Sequence, residues 1–113
     1  MNKPEYIQFH AAACEEMKAI TLQKNADYTG SSDDPFANFT LVESFGVATT
    51  EQGMFTRMLD KISRLASFIQ KGILLVKSES VYDTLLDLAN YCILLAGYLK
   101  SKESSCQTDK PEA

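Results

Sequence analysis

The stretch from Thr49 to Gly72 constrains the fold more than any other, because it carries helix signals at both ends and throughout its length. Thr49 and Gln52 stand three residues apart, where an N-cap hydroxyl and an N3 side chain satisfy each other's backbone N–H groups. Phe55, Met58, Leu59, Ile62, Leu65, Ala66 and Ile69 then recur at three- and four-residue steps, the period of an apolar helix face. The pattern stops at Gly72. Gly53 weakens the first turn by about 1 kcal/mol relative to alanine, unless something packs close to it.

Two more patterns of this kind flank it. From Pro4 to about Lys24, Tyr6, Phe9, Ala13, Met17 and Ile20 form one stripe, and Pro4 suits a first turn because its missing N–H is not needed there. From Ser80 to about Lys100 the apolar positions include Val81, Leu85, Leu88, Cys92 and Leu99, with Ser80 as the expected cap and Asp83 near the positive dipole end. Asn38 to Phe45 reads as one or two helical turns ended by Gly46. Asn25 to Phe36 holds Gly30, Ser31, Ser32, Asp33, Asp34 and Pro35, which is turn chemistry, and its length favours a loop with a function. Ile73 to Val76 is either an added turn or a buried connection.

These signals predict one all-α domain over residues 1–100, an antiparallel helical bundle of three long helices and one or two short ones, followed by a disordered polar tail over 101–113. A chain of 113 residues has room for one domain. Three long helices of this size make a small core, and the apolar surface extends around much of the last helix, so a homodimer or larger homo-oligomer is expected.

The net charge of −4 argues against a binder of nucleic-acid backbones, but leaves room for a small anion held by local cations. The longest apolar runs are too short to span a bilayer, and the N-terminus lacks an apolar signal core, so a cytoplasmic protein is expected. Cys14, Cys92 and Cys106 are odd in number and lack metal-ligand spacing, which predicts reduced thiols, the first two packed as small hydrophobes. His10 is the only histidine and pairs with no cysteine at a usable interval, which sets zinc aside.

Four polar groupings are candidates for chemistry. Asp83, Asp87 and Asn90 share one stripe of the last helix; the two carboxylates either share a cation such as Mg²⁺ or form the helix's polar back. Arg57, Lys61 and Arg64 project to within about a quarter turn of one another with Asp60 beside them, and either neutralise phosphates or form a solvated face. Phe68 continues that stripe and favours its burial against another helix or chain. Lys24, Asn25, Asp27 and Tyr28 precede Thr29 and Gly30; Lys24 can meet a phosphate and Tyr28 can stack on a base, or the segment is an ordinary turn. Glu16 projects to the edge of the first helix's apolar stripe, as an inward carboxylate or a boundary residue, whereas Glu15 points away.

Taken together, Lys24-Asn25-Ala26-Asp27-Tyr28, Asp34-Pro35-Phe36-Ala37-Asn38-Phe39, Arg57…Asp60-Lys61…Arg64 and Asp83-Thr84…Asp87-Leu88-Ala89-Asn90-Tyr91 resemble the phage nucleotide-modification-associated domain family, over about residues 8 to 99 and in the family's order. More distantly the layout is similar to the all-α nucleoside triphosphate pyrophosphohydrolases of the MazG and dimeric dUTPase group. Those enzymes hold Mg²⁺ through an E-x-x-E motif on one helix and an E-x-x-D motif on a later one. The likeness implies Glu16, Asp83 and Asp87 as metal ligands and catalytic carboxylates. This chain departs from the pattern, with Ala19 three residues after Glu16 and an i,i+4 spacing between the aspartates.

The resemblance implies a phage protein of the infected host's cytoplasm that binds a nucleotide or another phosphorylated small molecule, with Lys24, Arg57, Lys61 and Arg64 neutralising charge and Asn90 and Tyr28 holding sugar or base. Three functions stay open: a Mg²⁺-dependent nucleotide pyrophosphohydrolase, a non-catalytic binder that sequesters a host nucleotide signal, and a helical interaction protein without a ligand.

Overall fold

Helix α1 spans Lys3–Tyr28, α2 Ala37–Ser44, α3 Thr50–Lys71 and α4 Ser78–Ser105. The computed structural model describes residues 1–28, 33–72 and 78–105, apart from the side chains of 25–28, 78, 79 and 105. Among the described residues there is no strand, and the fold is all-α. No helix among them is long and apolar enough to cross a membrane.

The helix ends follow local chemistry. Asn2 Oδ1 accepts the Glu5 N–H at 2.9 Å and so caps α1. The end of α2 is a paired closure: Gly46, at φ +75°, donates its N–H to the Glu43 carbonyl at 2.9 Å, and Val47 donates to that of Val42 at 3.3 Å. The expected capping box opens α3, with Gln52 N–H on Thr49 Oγ1 at 3.1 Å and Thr49 N–H on Gln52 Oε1 at 2.9 Å. Glu43 Oε1 accepts a further N–H of this helix start, that of Thr50, at 2.8 Å, and so ties α2 to α3. Gly72, at φ +90°, ends α3.

Three boundaries differ from the sequence reading. α1 continues through Tyr28, a turn beyond Lys24, because Lys24 is anchored to α4 and tertiary contact outweighs the weak helix propensity of Asn25 and Asp27. α4 begins at Ser78, so Ser80 lies inside the helix and is not its cap; its carbonyl accepts the Thr84 hydroxyl at 2.8 Å. α4 also runs five residues past Lys100. There Lys102 Nζ reaches Glu51 Oε2 at 3.4 Å and stands 5.6 Å from the centre of the Tyr98 ring, a docking that polarity alone did not reveal. Residues 73–77 and 106–113 lie outside the described set.

The long helices alternate in direction. Glu51 meets Lys102 and Lys61 meets Asp87, so α3 and α4 are antiparallel. Phe9 stands edge-on to Tyr82, and eight residues further along both helices the Asn90 amide donates to the Met17 carbonyl, so α1 runs in the same direction as α4. The core is small. Met54 and Leu86 are its buried apolar residues among those described, with Thr50 and Thr84 buried beside them. Phe39 lies against Gly53, where a Cβ would stand 3.6 Å from the ring, an ordinary contact distance.

So thin a bundle covers one side of each helix. The face assigned to α3 from its period divides: Met58 and Leu65 are half-buried, while Phe55, Leu59, Ile62, Ala66 and Ile69 are exposed; Phe68, on the neighbouring cationic stripe, is half-buried as well. For the same reason Cys14 and Cys92 are free thiols as expected, but exposed and not packed.

Candidate ligand-binding site

The residues Asp87, Asn90, Tyr91 and Leu94 are spaced three and four apart and place one stripe of α4 along the floor of a cavity of about 570 Å³. Thr21 and Lys24 of α1 close one side. Pro35, Phe36 and the α2 residues Asn38, Phe39 and Val42 form another, and Arg57 of α3 reaches the rim. The volume falls within the range of about 300–1,000 Å³ typical of small-molecule sites.

The aromatic wall is held in place by ring contacts. Phe36 stands edge-on to Tyr98 with centroids 5.3 Å apart, and Phe39 edge-on to Tyr91 at 6.3 Å. The Phe36 N–H is accepted by Asp34 Oδ1 at 2.9 Å, which fixes the chain as it enters α2. Gly97 lies beside the ring: a Cβ there would stand 3.8 Å from Phe36 Cζ, an ordinary contact distance.

Asp87 is the electrostatic centre. Lys24 Nζ lies 3.2 Å from its Oδ1 and Lys61 Nζ 3.4 Å from its Oδ2, so one carboxylate of α4 binds an ammonium from each neighbouring long helix. This divides the expected cationic trio. Lys61 is drawn inward to 19% side-chain exposure, whereas Arg57 stays 62% exposed with only a 3.9 Å pairing to Asp60. Arg64 is exposed and, like Asp60, does not line the cavity. Asn90 clamps α4 to α1 through its amide on the Met17 carbonyl at 3.3 Å.

The other expected carboxylates lie elsewhere. Glu16 Oε2 accepts the Tyr82 hydroxyl at 2.7 Å, and that bond, with burial and the charges of Glu16 and Asp83, holds the Tyr82 pKa above its usual 10.0. Asp83 is exposed. No group of three carboxylate, histidine or cysteine residues close enough to share a metal occurs among the described residues, so Glu16, Asp83 and Asp87 are not gathered into one cluster in this structure. With both Asp87 oxygens on ammonium groups, its chemistry here is that of a counter-ion. The side chains of Asn25, Asp27 and Tyr28, expected at the ligand, lie outside the described residues.

Of the expected site residues, the cavity wall brings together Lys24, Arg57, Asp87 and Asn90. The reading from charge alone missed Phe36, Asn38, Phe39, Tyr91 and Gly97, which also line the wall. The signal was present in Asp34-Pro35-Phe36-Ala37-Asn38-Phe39, where two phenyl rings flank an amide directly after a turn. Comparison with protein-family models, curated proteins and solved structures gives no match.

Proposed function

We propose that the protein binds a nucleotide or a nucleotide-sized phosphorylated molecule in this cleft, without hydrolysing it. The observation that carries the reading is the make-up of the wall: Phe36, Phe39 and Tyr91 offer apolar rings to a base, and Lys24 and Arg57 offer cations to a phosphate at the rim. Among the residues that line the cleft, the cations Lys24 and Arg57 outnumber the single carboxylate of Asp87, in a chain of net charge −4. Asn38 supplies an amide for a base edge or sugar. Arg57 is the mobile half of the phosphate grip, because its long pairing to Asp60 costs little to break. The resemblance to the phage nucleotide-modification family points to the same ligand class. Binding is favoured over Mg²⁺-dependent hydrolysis because two of the three carboxylates that would hold the ion are engaged, Glu16 with Tyr82 and Asp87 with Lys24 and Lys61.

The test is a panel of nucleoside mono-, di- and triphosphates with and without Mg²⁺, read by thermal shift and by product chromatography. At a ligand concentration of 100 Kd the folded state gains about 2.7 kcal/mol, a rise of roughly 10–20 °C for a domain of this size. The expected result is a rise that survives chelation, weakens in salt and leaves the nucleotide intact. Lys24→Ala and Arg57→Ala each reduce it. A flat panel, or an Arg57→Ala variant that binds as wild type does, overturns the proposal, and turnover that needs Mg²⁺ selects the hydrolase instead.

A further inference from the structure

We infer that the cleft selects a nucleoside monophosphate over the di- and triphosphate of the same base, with Asp60 and Asp87 limiting the phosphate chain, a narrowing that rests on the nucleotide reading above. The charges around the cleft set the limit. Among the described residues that line it, Lys24 and Arg57 are the cations and Asp87 is the carboxylate. Two more charges adjoin this set without lining the cleft: Lys61, on the second oxygen of Asp87 at 3.4 Å, and Asp60, 3.9 Å from Arg57. They offset each other, so the surplus stays at one positive charge. A phosphate monoester carries about −1.5 to −2 at pH 7 and comes closest to balancing it. Each further phosphate adds negative charge and meets no further cation among the described residues of the wall.

The carboxylates stand where a longer phosphate chain would pass. A phosphate on Lys24 lies beside Asp87, whose Oδ1 is 3.2 Å from the Lys24 ammonium. On α3, Arg57, Asp60 and Arg64 are three and four residues apart and share one stripe. At 1.5 Å of rise per residue, Asp60 stands about 4.5 Å along the axis from Arg57, and Arg64 about 10.5 Å. A phosphate chain that extends from Arg57 along this stripe therefore meets a carboxylate before it meets the next guanidinium. Asp60 is exposed, so the repulsion acts through water. Two like unit charges about 7 Å apart then cost roughly threefold in affinity. The net charge of −4 acts in the same direction at low salt. The monophosphate is expected to bind at least about threefold more tightly than the diphosphate, and the triphosphate is expected to bind most weakly.

Titration calorimetry at low salt in the presence of EDTA, with the 5′-mono-, di- and triphosphates of adenosine and of uridine, reads the order directly. The expected order in a series that binds is mono-, then di-, then triphosphate. Asp60→Asn removes an exposed charge and is expected to raise diphosphate affinity about threefold and monophosphate affinity by less, so that the gap between them narrows. The wild-type order decides the matter by itself if the variant does not fold. Equal affinity for all three, or tightest binding of the triphosphate, overturns the monophosphate preference and leaves the nucleotide reading standing. No binding in either series overturns both. A folded Asp60→Asn variant that keeps the wild-type ratio of mono- to diphosphate affinity overturns the role given to Asp60.

Discussion

Replacing Asp87 by asparagine is expected to weaken the fold and tighten the ligand. The carboxylate holds Lys24 at 3.2 Å and Lys61 at 3.4 Å, and both pairs are lost in Asp87→Asn. Lys24 is 42% exposed and Lys61 19%, so the first pair is screened and the second only partly. A loss of about 1–2 kcal/mol follows, most of it from an ammonium left partly buried without its counter-charge. For a domain of this size that lowers Tm by roughly 5–15 °C. The effect on binding has the opposite sign. A phosphate oxygen at about 2.8 Å from Lys24 Nζ stands within roughly 6 Å of the Asp87 carboxylate. Coulomb repulsion at that distance is about 0.7 kcal/mol in water and about 3 kcal/mol at an effective dielectric of 20. The exposure of Lys24 puts the value near the lower figure, about 1 kcal/mol, or roughly fivefold in affinity for each phosphate charge. Calorimetric melting of the free protein and titration calorimetry at low salt, with a nucleotide that stabilises the wild type, measure both changes. If Asp87→Asn loses ligand affinity, Asp87 holds the ligand or its metal and the counter-ion account is wrong. If the free variant melts as wild type does, the bridge to the two lysines does not hold the bundle together.

Further substitutions test the frame around the cleft. Gly53→Ala is expected to raise stability by about 0.5–1 kcal/mol, since the new methyl meets Phe39 at an ordinary 3.6 Å; a lower Tm by circular dichroism would show that the ring has no room to accept it. Thr49→Ala removes one arm of the capping box and is expected to cost about 1 kcal/mol in urea unfolding with an unchanged m-value. Tyr82 and Lys102 both have pKa values raised in the folded state, Tyr82 first through its bond to Glu16 and Lys102 first through the charge of Glu51. Their contribution is complete below the usual values of 10.0 and 10.5 and is lost as pH rises through the higher folded-state values. A pH series of urea midpoints should therefore fall above about pH 10, and the double variant Tyr82→Phe, Lys102→Met should flatten that fall.

The helices were legible in the sequence because their signals are local. Thr49 and Gln52 find each other within one turn, and Gly46 and Gly72 end helices through their own backbone angles. Two of the three boundaries that moved did so through a distant contact: Lys24 holds the last turn of α1 to α4, and Lys102 holds the extended end of α4 to α3. The site followed the same division. Lys24, Arg57, Asp87 and Asn90 were recognisable by residue type, but the partner of Asp87 was not. From spacing alone, Asp83 and Asp87 look like a repelling i,i+4 pair whose strain a metal would relieve. In the fold Asp83 is exposed and Asp87 has two lysines, one of them 63 residues away in sequence. The long-range ion pairs therefore reverse the expected effect of removing the Asp87 charge.

Helix α3 shows why composition could not separate core from surface. Its residues serve three surroundings at once: Met54 is buried and Met58 half-buried, Arg57 lines the cleft, and Phe55, Leu59 and Ile62 are exposed. An apolar helix face normally spans about 100° or somewhat more, and this one is wider because two adjacent stripes are both apolar. The single chain buries one of them. Lys61 sits where a simple bundle would place another aliphatic side chain, on the inward stripe between Met58 and Leu65, and its ammonium is tolerated there because Asp87 stands opposite. A bundle built for stability alone would fill both positions with leucine, a swap for a buried ion pair that is often neutral or stabilising. Retaining the pair places a carboxylate and two ammonium groups beside an aromatic cleft. Lys61→Leu with Asp87→Leu is then expected to keep or raise Tm while removing one negative and one positive charge beside the cleft. The two losses oppose each other in binding, because a bound phosphate is relieved of the Asp87 charge and deprived of the Lys61 charge. Nucleotide titration, with Tm as the control, should therefore show a smaller gain in affinity than Asp87→Asn alone. A gain equal to that of Asp87→Asn would mean that Lys61 serves the bundle and not the cleft.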